Sequence, residues 1–329
     1  MKLTIKEIAE IAQVAKSTVS KALNGQKGVS KEKRKQILAL AEELNYEASA
    51  SAQALASSRS GSIGILIPQQ EDYSLSGAYW SAIITSVAQI ANEHNYSLLI
   101  LTPKKGENSS GSLESVIRRR NVDGLIIGAD QLDPKITSRL LEEEIPFVFI
   151  GRNSQIQHYS VDVDNFGGSE RLVTHLIKSG YKKIACIAGP FEYLYTQERV
   201  AGYYSALNKA GYNWSAVEHT RYSIDTSRTA ILNLLKNKPD FDAMYVTAGG
   251  EFLLDCIDIL KLSGANPKKI AFGAFDDYRF FDYIDIPVCT IRQPLSEIAT
   301  TTANLLFEFL SGKVPKQMNH ILDVELILR

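Results

Sequence analysis

The sequence predicts two α/β lobes, each built on a doubly wound parallel sheet, behind a small all-α N-terminal domain. From Ser62 onward, short apolar runs of strand length alternate with amphipathic stretches of helix length. This alternation is typical of parallel sheets that are covered on both faces. The first 46 residues show helical periodicity only. The 329 residues suffice for two or three domains with a sizeable core.

Nine short apolar runs are the predicted strands, and five longer amphipathic stretches are the predicted helices between them. The strands are Ile63–Pro68, Ser97–Leu101, Gly124–Gly128, Phe147–Gly151, Ser160–Val163, Ile184–Ala188, Ala243–Val246, Ile270–Phe275 and Val288–Ile291. The helices are Tyr79–Glu93, Phe166–Lys178, Thr196–Lys209, Thr226–Lys236 and Phe252–Leu262. Two rounds of this alternation predict two lobes, with a ligand cleft at the carboxyl ends of the strands.

The N-terminus predicts a helix-turn-helix. Thr4 and Glu7 have the spacing of a capping box, which predicts a helix beginning at about Ile5. After a three-residue break comes a second short helix, whose Val19 and Ala22 face the first. Its outer face carries hydroxyls and amines: Lys16, Ser17, Ser20 and Lys21. Such a helix can enter the major groove of DNA; the alternative is a helical hairpin used only for packing.

A third helix is predicted from its N-cap, Ser30, to about Asn45. Charge is distributed unevenly between this N-terminal part and the rest of the chain. Residues 1–60 contain ten Lys and Arg against six Asp and Glu, whereas the remainder contains 26 basic and 31 acidic residues. A basic head on an acidic body fits a nucleic-acid contact that is confined to the N-terminus.

Several motifs occur in a fixed order along the chain. They are Thr4-Ile5-Lys6-Glu7-Ile8-Ala9, Lys16-Ser17-Thr18-Val19-Ser20, Leu23-Asn24-Gly25 and, near the end, Thr290-Ile291-Arg292-Gln293-Pro294. Together they resemble the lactose/galactose repressor (LacI/GalR) family of bacterial transcription regulators. The resemblance implies a core like that of periplasmic sugar-binding proteins. It also implies a homodimeric repressor, most often of a carbohydrate-use operon. Such a dimer binds a pseudo-palindromic operator and responds to a small effector.

The resemblance also implies the domain boundaries. Residues 1–46 form the DNA-binding domain, 47–61 the hinge and 62–329 the effector-binding and dimerisation core. The N-lobe is expected at about 62–160 and 291–320, and the C-lobe at about 161–290 and 321–329. The chain is expected to cross between the lobes near three places: 159–162, 289–293 and 318–322.

The hinge sequence consists almost entirely of small residues, so it buries too little surface to fold alone. The resemblance implies a short helix that forms on operator DNA and inserts Leu55 into the minor groove, and a flexible linker in the free protein is compatible with this. Base-edge contacts are expected from Lys16, Ser17 and Lys21, and phosphate contacts from Ser20, Asn24, Lys31, Lys33 and Arg34. The whole expected DNA-binding set is Thr4, Lys16, Ser17, Thr18, Ser20, Lys21, Asn24, Lys31, Arg34 and Leu55.

Two charged residues are the expected anchors of the effector. The resemblance places the Arg199 side chain in the cleft, and a cation near a helix start also needs a partner other than the helix dipole. Asp276 ends an apolar strand, and its counterpart in the family binds ligand hydroxyls; a turn cap is the alternative for the Asp276-Asp277 pair. We expect Arg199 and Asp276 to face each other across the cleft.

Aromatic residues complete the expected effector site. Tyr79, Trp80 and Tyr222 occupy positions where the family places rings against its ligand, although each is equally compatible with a core role. The run Val161-Asp162-Val163-Asp164-Asn165-Phe166-Gly167-Gly168 resembles a family signature. For this run we expect helix capping by Asp164 or Asn165 and close packing at the glycines.

Some positions depart from the family pattern. Gln13 replaces the usual turn glycine, Ala15 replaces a capping serine, and Ala48-Ser49 stands where the hinge usually begins with Pro-Asn. Gly249-Gly250 replaces an Asn-Asp pair that supplies a ligand-binding amide. We therefore expect an effector other than the simple hexoses and pentoses typical of the family.

Other function classes find little support in the sequence. It shows no signal sequence or membrane-length apolar run, so a cytoplasmic protein is expected. Cys186, Cys256 and Cys289 lie far apart in apolar surroundings, so they are expected to be reduced core residues rather than metal ligands. No cofactor and no catalytic site are expected, because no nucleophile, metal cluster or phosphate loop lies near the carboxylates. The alternative function is a solute-binding sensor that acts through a protein partner.

Overall fold

The computed structural model describes residues 4–23, 25, 27–44, 46, 59–67, 78–102, 110–128, 134–153, 155–221, 223–247 and 250–329. The predicted hinge residues 47–58 lie outside this set. The N-terminal domain has three helices: α1 (Ile5–Ile11), α2 (Lys16–Leu23) and α3 (Lys31–Glu43). Buried aliphatic side chains from all three form its core: Ile8, Ala9, Val19, Ala22 and Ile37. The predicted starts of the first and third helices are confirmed.

The first lobe contains a six-stranded parallel sheet. Its strands are β1 (Ser62–Leu66), β2 (Ser97–Leu101), β3 (Gly124–Gly128), β4 (Phe147–Ile150), β5 (Ser160–Val163) and β11 (Asn319–Leu322). They lie in the order β11-β5-β4-β3-β1-β2, and every pair is parallel. The central strand β3 is buried along its whole length, as its continuous apolar sequence predicts.

The second lobe repeats the same topology. Its strands are β6 (Ile184–Ala188), β7 (Ala216–His219), β8 (Ala243–Val246), β9 (Ala271–Phe275), β10 (Val288–Arg292) and β12 (Glu325–Ile327). They lie in the order β12-β10-β9-β8-β6-β7. The pairs are parallel except that β12 is antiparallel to β10. Two doubly wound lobes with equivalent strand orders confirm the predicted fold class.

The helices of the two lobes cover both sheets. The first lobe has α4 (Ala78–Glu93), α5 (Ser110–Arg119), α6 (Pro134–Glu142) and α11 (Leu295–Leu310). The second lobe has α7 (Asn165–Lys178), α8 (Leu194–Lys209), α9 (Ile224–Asn237) and α10 (Gly250–Leu262). None of the described helices is both long and apolar enough to cross a membrane.

The strand pairings correct the expected lobe boundaries by a few residues. β5 extends to Val163 and pairs with β4 and β11, so residues 161–163 belong to the first sheet rather than to the C-lobe. Residues 321–322 also belong to the first sheet, and residues 291–292 belong to the second. The three crossings therefore lie between 163 and 165, between 292 and 295, and between 322 and 325.

Among the described residues, the sequence prediction missed three α-helices and three strands, namely α5, α6, α11, β7, β11 and β12, and also two short 3-10 helices, Pro267–Lys269 and Arg279–Tyr283. Strands β7, β11 and β12 are edge strands of three or four residues with no fully buried position, so they lack a continuous apolar run.

Helices α7 and α8 pack very closely. A Cβ on Gly202 would lie 2.3 Å from the Phe166 carbonyl oxygen, so only glycine fits at this crossing.

Candidate DNA-binding surface and ligand cleft

The first helix begins with the predicted capping box. The backbone N–H of Thr4 donates to Glu7 Oε2 at 2.6 Å, and the backbone N–H of Glu7 donates to Thr4 Oγ1 at 3.4 Å. The hydrogen bond from the Thr4 backbone lowers the pKa of Glu7, and the bond from the Thr4 hydroxyl adds to this. Thr4 is exposed, and its hydroxyl is engaged in this cap.

Helix α2 presents a polar face opposite its buried side chains. Val19 is fully buried and Ala22 is nearly so, and both pack against α1 and α3. The polar side chains on the other face are either exposed (Lys16, Ser17 and Lys21) or half-buried (Thr18 and Ser20). A short helix with its apolar side held and its cationic and hydroxyl side open has the form that reads base edges in the major groove.

The turn before α2 adopts the glycine-like conformation without a glycine. Gln13 has φ of +52°, in the left-handed region, which costs a non-glycine residue on the order of 1 kcal/mol. Ser30 caps α3 by accepting a hydrogen bond from the Lys33 backbone N–H at 3.2 Å. In the first turn of α3, Lys31 is exposed, while Lys33 and Arg34 are half-buried. Asn24 and Leu55 lie outside the described residues.

Arg199 is buried at the carboxyl edge of the second sheet. Its Nε donates to Asn165 Oδ1 at 2.8 Å, and its Nη1 donates to the Thr247 backbone carbonyl at 2.7 Å. The guanidinium carbon lies 3.6 Å from the centroid of the Phe275 ring. Because α8 begins at Leu194, Arg199 is in the second turn rather than at the helix start. The helix-dipole argument was therefore wrong, and these neighbours explain its position.

Asp276 lies next to this cluster, directly after β9. Its Oδ1 accepts a hydrogen bond from Gln293 Nε2, and its φ of +79° is in the left-handed region. Burial raises the pKa of Asp276, and the charge of Arg199 acts in the opposite direction. A strained backbone and a buried carboxyl at a strand end are typical of binding sites. However, Arg199 and Asp276 are both in the second lobe, so the expectation that they face each other across the cleft was wrong.

Arg152 connects the two lobes. It follows β4 of the first lobe, and its Nε donates to Asp162 Oδ2 at 3.0 Å while its Nη2 donates to Glu198 Oε2 on α8 at 2.6 Å. Burial alone would lower the pKa of Arg152, but the carboxylates of Asp162 and Glu198 raise it. Asp162 Oδ1 also accepts from Asn165 Nδ2 at 3.1 Å. A continuous polar network therefore runs from Glu198 through Arg152, Asp162 and Asn165 to Arg199.

The aromatic candidates differ in exposure. Trp80 is 7% exposed and packs in the hydrophobic core with side chains from α4 and the first sheet, as the core interpretation predicts. Tyr79 is half-buried, with its ring 5.3 Å from that of Trp80 in an edge-on contact, so it stays a candidate for the cleft wall. Tyr222 and Gly249 lie outside the described residues.

Other carboxylates at the cleft have structural partners. Asp164 caps α7 by accepting a hydrogen bond from the Gly167 backbone N–H at 2.8 Å, as expected. Asp277 accepts from Thr290 Oγ1 at 2.6 Å and pairs with Arg292 and Arg329. Although burial acts to raise it, these hydrogen bonds lower the pKa of Asp277 overall. Asp277 therefore stabilises the end of the second sheet.

The sequence prediction missed Arg152, Gln293 and Thr247 as members of this site. Arg152 follows an apolar strand directly after Gly151, and Gln293 stands within the Thr290–Pro294 motif, so each had a weak signal. Thr247 contributes only its backbone carbonyl to Arg199, which no side-chain pattern reveals. No cluster of His, Cys, Asp and Glu suited to a metal occurs among the described residues. The three cysteines are buried and unpaired, and burial raises the pKa of Cys289 to about 12.

Two family models match this chain. Residues 60–266 match the periplasmic binding proteins and sugar binding domain of the LacI family, and residues 4–49 match the bacterial regulatory proteins of the lacI family. The chain belongs to the LacI family. Members of this family are DNA-binding transcription regulators and not enzymes.

Individual relatives agree with this assignment over the whole chain. The HTH-type transcriptional regulator CelR of Thermobifida fusca is 26% identical over 99% of this chain and 97% of its own length. The probable HTH-type transcriptional repressor ExuR of Bacillus subtilis (strain 168) is 27% identical, with coverages of 99% and 97%. Their names place this LacI-family chain among transcriptional regulators.

Solved structures of LacI-family proteins have the same fold. A CelR–cellobiose complex superposes with a TM-score of 0.74 at 25% identity, covering 99% of both chains. The lac repressor dimer bound to operator and the anti-inducer ONPF gives a TM-score of 0.82 at 24% identity, covering 100% of this chain and 98% of the other. The N-terminal helices and both lobes are therefore shared with these proteins.

Proposed function

We propose that this chain is a repressor of a carbohydrate-use operon. In this proposal a homodimer binds a pseudo-palindromic operator, and a small effector in the cleft sets the affinity for that operator. The observation that carries the proposal is the polar face of α2, held outward by the buried Val19 and Ala22, in a chain whose remaining length is a sugar-binding-type core. Two-fold symmetry of the dimer explains why the operator should be pseudo-palindromic.

The DNA contacts follow from exposure and chemistry. We assign base-edge contacts to Lys16, Ser17 and Lys21, because these donors are exposed on the outer face of α2. Lys31, Lys33 and Arg34 in the first turn of α3 and the half-buried Ser20 of α2 are assigned to phosphates, because phosphate contacts need only positive charge or a donor. Asn24 joins the phosphate set and Leu55 the minor-groove set through the family resemblance.

The effector contacts are assigned to the buried polar cluster. Arg199 can donate to ligand hydroxyls and Asp276 can accept from them, while Tyr79 and Tyr222 supply rings for the apolar face of a sugar. Arg152 of the first lobe already bonds Glu198 of the second, so a ligand that changes this bond shifts the lobes relative to each other. Such a shift alters operator affinity only if the ligand binds the two lobe arrangements with different affinity.

Fluorescence anisotropy with DNA fragments from upstream of the protein's own gene and of the genes beside it tests the proposal. We expect one pseudo-palindromic sequence to bind at least about a thousandfold more tightly than random DNA at equal salt. One sugar or sugar derivative should change that affinity, and sedimentation should give a dimer. Sugar binding without any sequence-specific DNA binding would contradict the proposal and favour a sensor that acts through a protein partner.

A further inference from the structure

A second groove lies beside the effector cluster at the outer edge of the second sheet. Its volume is about 410 Å³, and it is bounded by the loop after β6, the end of β7 and the first turns of α9. Among the residues that line the groove are Phe191, Glu192, Glu218, His219, Thr229 and Asn233. None of them was singled out by the sequence, and none belongs to the proposed effector contacts.

The groove is joined to Arg199 by a series of hydrogen bonds. Thr247 accepts from Arg199 through its carbonyl at 2.7 Å, and its Oγ1 accepts from the Gly189 backbone N–H at 3.2 Å. The Gly189 carbonyl in turn lies 2.7 Å from His219 Nδ1. Because a carbonyl can only accept, His219 Nδ1 is the donor in this hydrogen bond. The groove therefore lies at the same carboxyl end of the second sheet as the Arg199 cluster, three hydrogen bonds away from it.

Phe191 supplies an apolar face in this groove. Its side chain is 62% exposed, and its ring meets His219 edge-on at 5.6 Å between centroids. The carbonyl of Phe191 accepts from Gln197 Nε2 at 2.9 Å, so the loop that carries the ring is tied to α8. A held, exposed ring is suited to stacking against the C–H face of a sugar, at little cost in conformational entropy.

The polar lining of the groove favours an uncharged, hydroxyl-rich ligand. Thr229 and Asn233 are exposed one turn apart on α9. The Asn233 amide offers a donor and an acceptor, whereas the Thr229 hydroxyl donates to the Asp225 carbonyl at 2.9 Å and offers an acceptor. Glu192 is paired with Arg221 at 3.1 Å, and Glu218 adds a second carboxylate. With two carboxylates against one guanidinium, the groove repels phosphorylated and acidic sugars.

We propose that this groove is an outer subsite of the effector cleft and that the effector is a neutral oligosaccharide. The proposal rests on the proposed function, because it takes a sugar ring bound at Arg199 as the inner unit of the effector. β7 is two strands away from β8 in the sheet, roughly 10 Å. A chain of two or three sugar rings spans that distance, whereas one ring does not. The outer unit stacks on Phe191 and bonds to Asn233 and Glu218.

Calorimetry on the full-length protein tests this assignment. The probes are glucose, galactose and xylose, each with its disaccharides and trisaccharides, together with glucose 6-phosphate and adenosine. We expect one neutral series to bind about tenfold more tightly as a disaccharide or trisaccharide than as its monosaccharide. Phe191→Ala should remove that gain and leave the monosaccharide affinity unchanged, because Phe191 does not touch the inner unit.

Three further variants test whether the groove holds the longer sugars. Asn233→Trp should block the longer sugars by filling the groove, whereas Leu232→Trp, at an exposed neighbouring position of α9 outside the groove, should not. Tyr204→Ala is the matched control for loss of a partly exposed ring in the same lobe. Melting temperatures should be unchanged for Phe191→Ala, because its side chain is exposed.

The proposal is overturned if monosaccharides bind as tightly as the longer sugars, or if Phe191→Ala weakens every member of a series equally. Binding of only the phosphate or the nucleoside, or of no probe at all, also overturns it. Operator binding measured on the same preparation separates this outcome from failure of the proposed function. A protein that binds its operator normally but takes only monosaccharides refutes the outer subsite alone.

Discussion

Arg59 Nη2 donates a hydrogen bond to the backbone carbonyl of Leu310 at 2.9 Å. Leu310 ends α11, and α11 begins two residues after Gln293, which bonds Asp276 in the effector cluster. The two residues between Arg59 and β1 are held by Asp123. Its carboxylate accepts hydrogen bonds from the backbone N–H groups of Ser60 at 2.6 Å and of Gly61 at 3.0 Å. One helix thus joins the ligand cluster to the last residues of the predicted hinge.

Replacement of Arg59 by Ala should uncouple the two functions. If α11 transmits movement of the cleft to the hinge, Arg59→Ala should reduce at least fivefold the ratio of operator affinities measured with and without effector. Effector binding itself should stay within about twofold of wild type, because Arg59 contacts Leu310, at the opposite end of α11 from Gln293. Anisotropy and calorimetry on the same protein measure both. Arg120→Ala, which removes an exposed arginine paired with Glu143, is the control, and an unchanged ratio in Arg59→Ala would contradict the coupling.

Lys16→Ala and Lys21→Ala should each weaken specific operator binding by roughly 1–3 kcal/mol. Both side chains are exposed on α2, so the fold of the head should not change. Titration of labelled operator at fixed salt measures the effect, and calorimetry should show unchanged effector binding. Lys261→Ala, on α10 of the second lobe, serves as the control for loss of one positive charge. Wild-type operator affinity in both α2 variants would refute the assignment of this face to DNA.

Arg199→Ala should abolish the response to effector and preserve operator binding. The variant loses the hydrogen bonds to Asn165 and Thr247 and leaves the Asp276 carboxyl without its nearby cation. An uncompensated buried group costs roughly 1–3 kcal/mol, so the melting temperature should fall. Operator release is therefore to be measured well below the melting temperature of the variant. A full response at wild-type effector concentrations would place the effector elsewhere.

Asp276→Asn should stabilise the protein without ligand. Burial raises the pKa of Asp276, so the folded state favours the protonated carboxyl and loses stability as the pH rises above about 4, the unfolded-state value. The Asn side chain does not ionise, so the variant does not lose stability in this way as the pH rises. Its amide oxygen still accepts the hydrogen bond from Gln293, and Asn tolerates the positive φ better than most residues. Urea unfolding at pH 5 and at pH 7 should show a higher unfolding free energy, with a flatter pH dependence.

The neighbouring Asp277 provides a control of opposite sign. Its pKa is lowered by hydrogen bonds from Arg329, Thr290 and Arg292, so Asp277→Asn should destabilise the protein at neutral pH. This contribution from Asp277 is present above its unfolded-state pKa and is lost as the pH falls through the lower folded-state value. Equal destabilisation by Asp276→Asn and Asp277→Asn would show that attraction to the nearby charge of Arg199 outweighs the burial of Asp276.

Gly202→Ala should destabilise the second lobe by more than about 2 kcal/mol, because overpacking at a close contact forces backbone shifts. The new Cβ would lie 2.3 Å from the Phe166 carbonyl oxygen and 2.9 Å from the Ser169 Cβ. Helix propensity alone predicts the opposite, a gain of about 1 kcal/mol. Urea unfolding decides between them, with Ala201→Gly at the adjacent exposed position as the control for propensity. A more stable Gly202→Ala protein would refute the packing argument.

Much of the architecture could be predicted because its signals are local. The Thr4–Glu7 capping box and the Ser30 cap lie within one helical turn, and each buried strand is a continuous apolar run. The edge strands could not be found in this way, because they have short, mixed patterns that acquire meaning only beside a neighbour. The lobe crossings were displaced by a few residues for the same reason, since strand membership is a matter of pairing and not of hydrophobicity. Helix α11 is different, because its 16 residues carry a helically spaced apolar face that the prediction did not use.

By itself, the sequence determined the three-helix head with the polar outer face of its second helix and the two doubly wound lobes. The family resemblance made Arg199 and Asp276 the expected effector contacts. Only the tertiary structure decided that these two residues share one lobe and that Arg152 joins the lobes through Glu198. It also decided that hydrogen bonds connect the groove beside Phe191 to Arg199. The physical reason is separation along the chain: Arg152 and Glu198 are 46 residues apart, and Arg199 and Thr247 are 48 apart. Such contacts depend on which strands are neighbours, and no local periodicity encodes that.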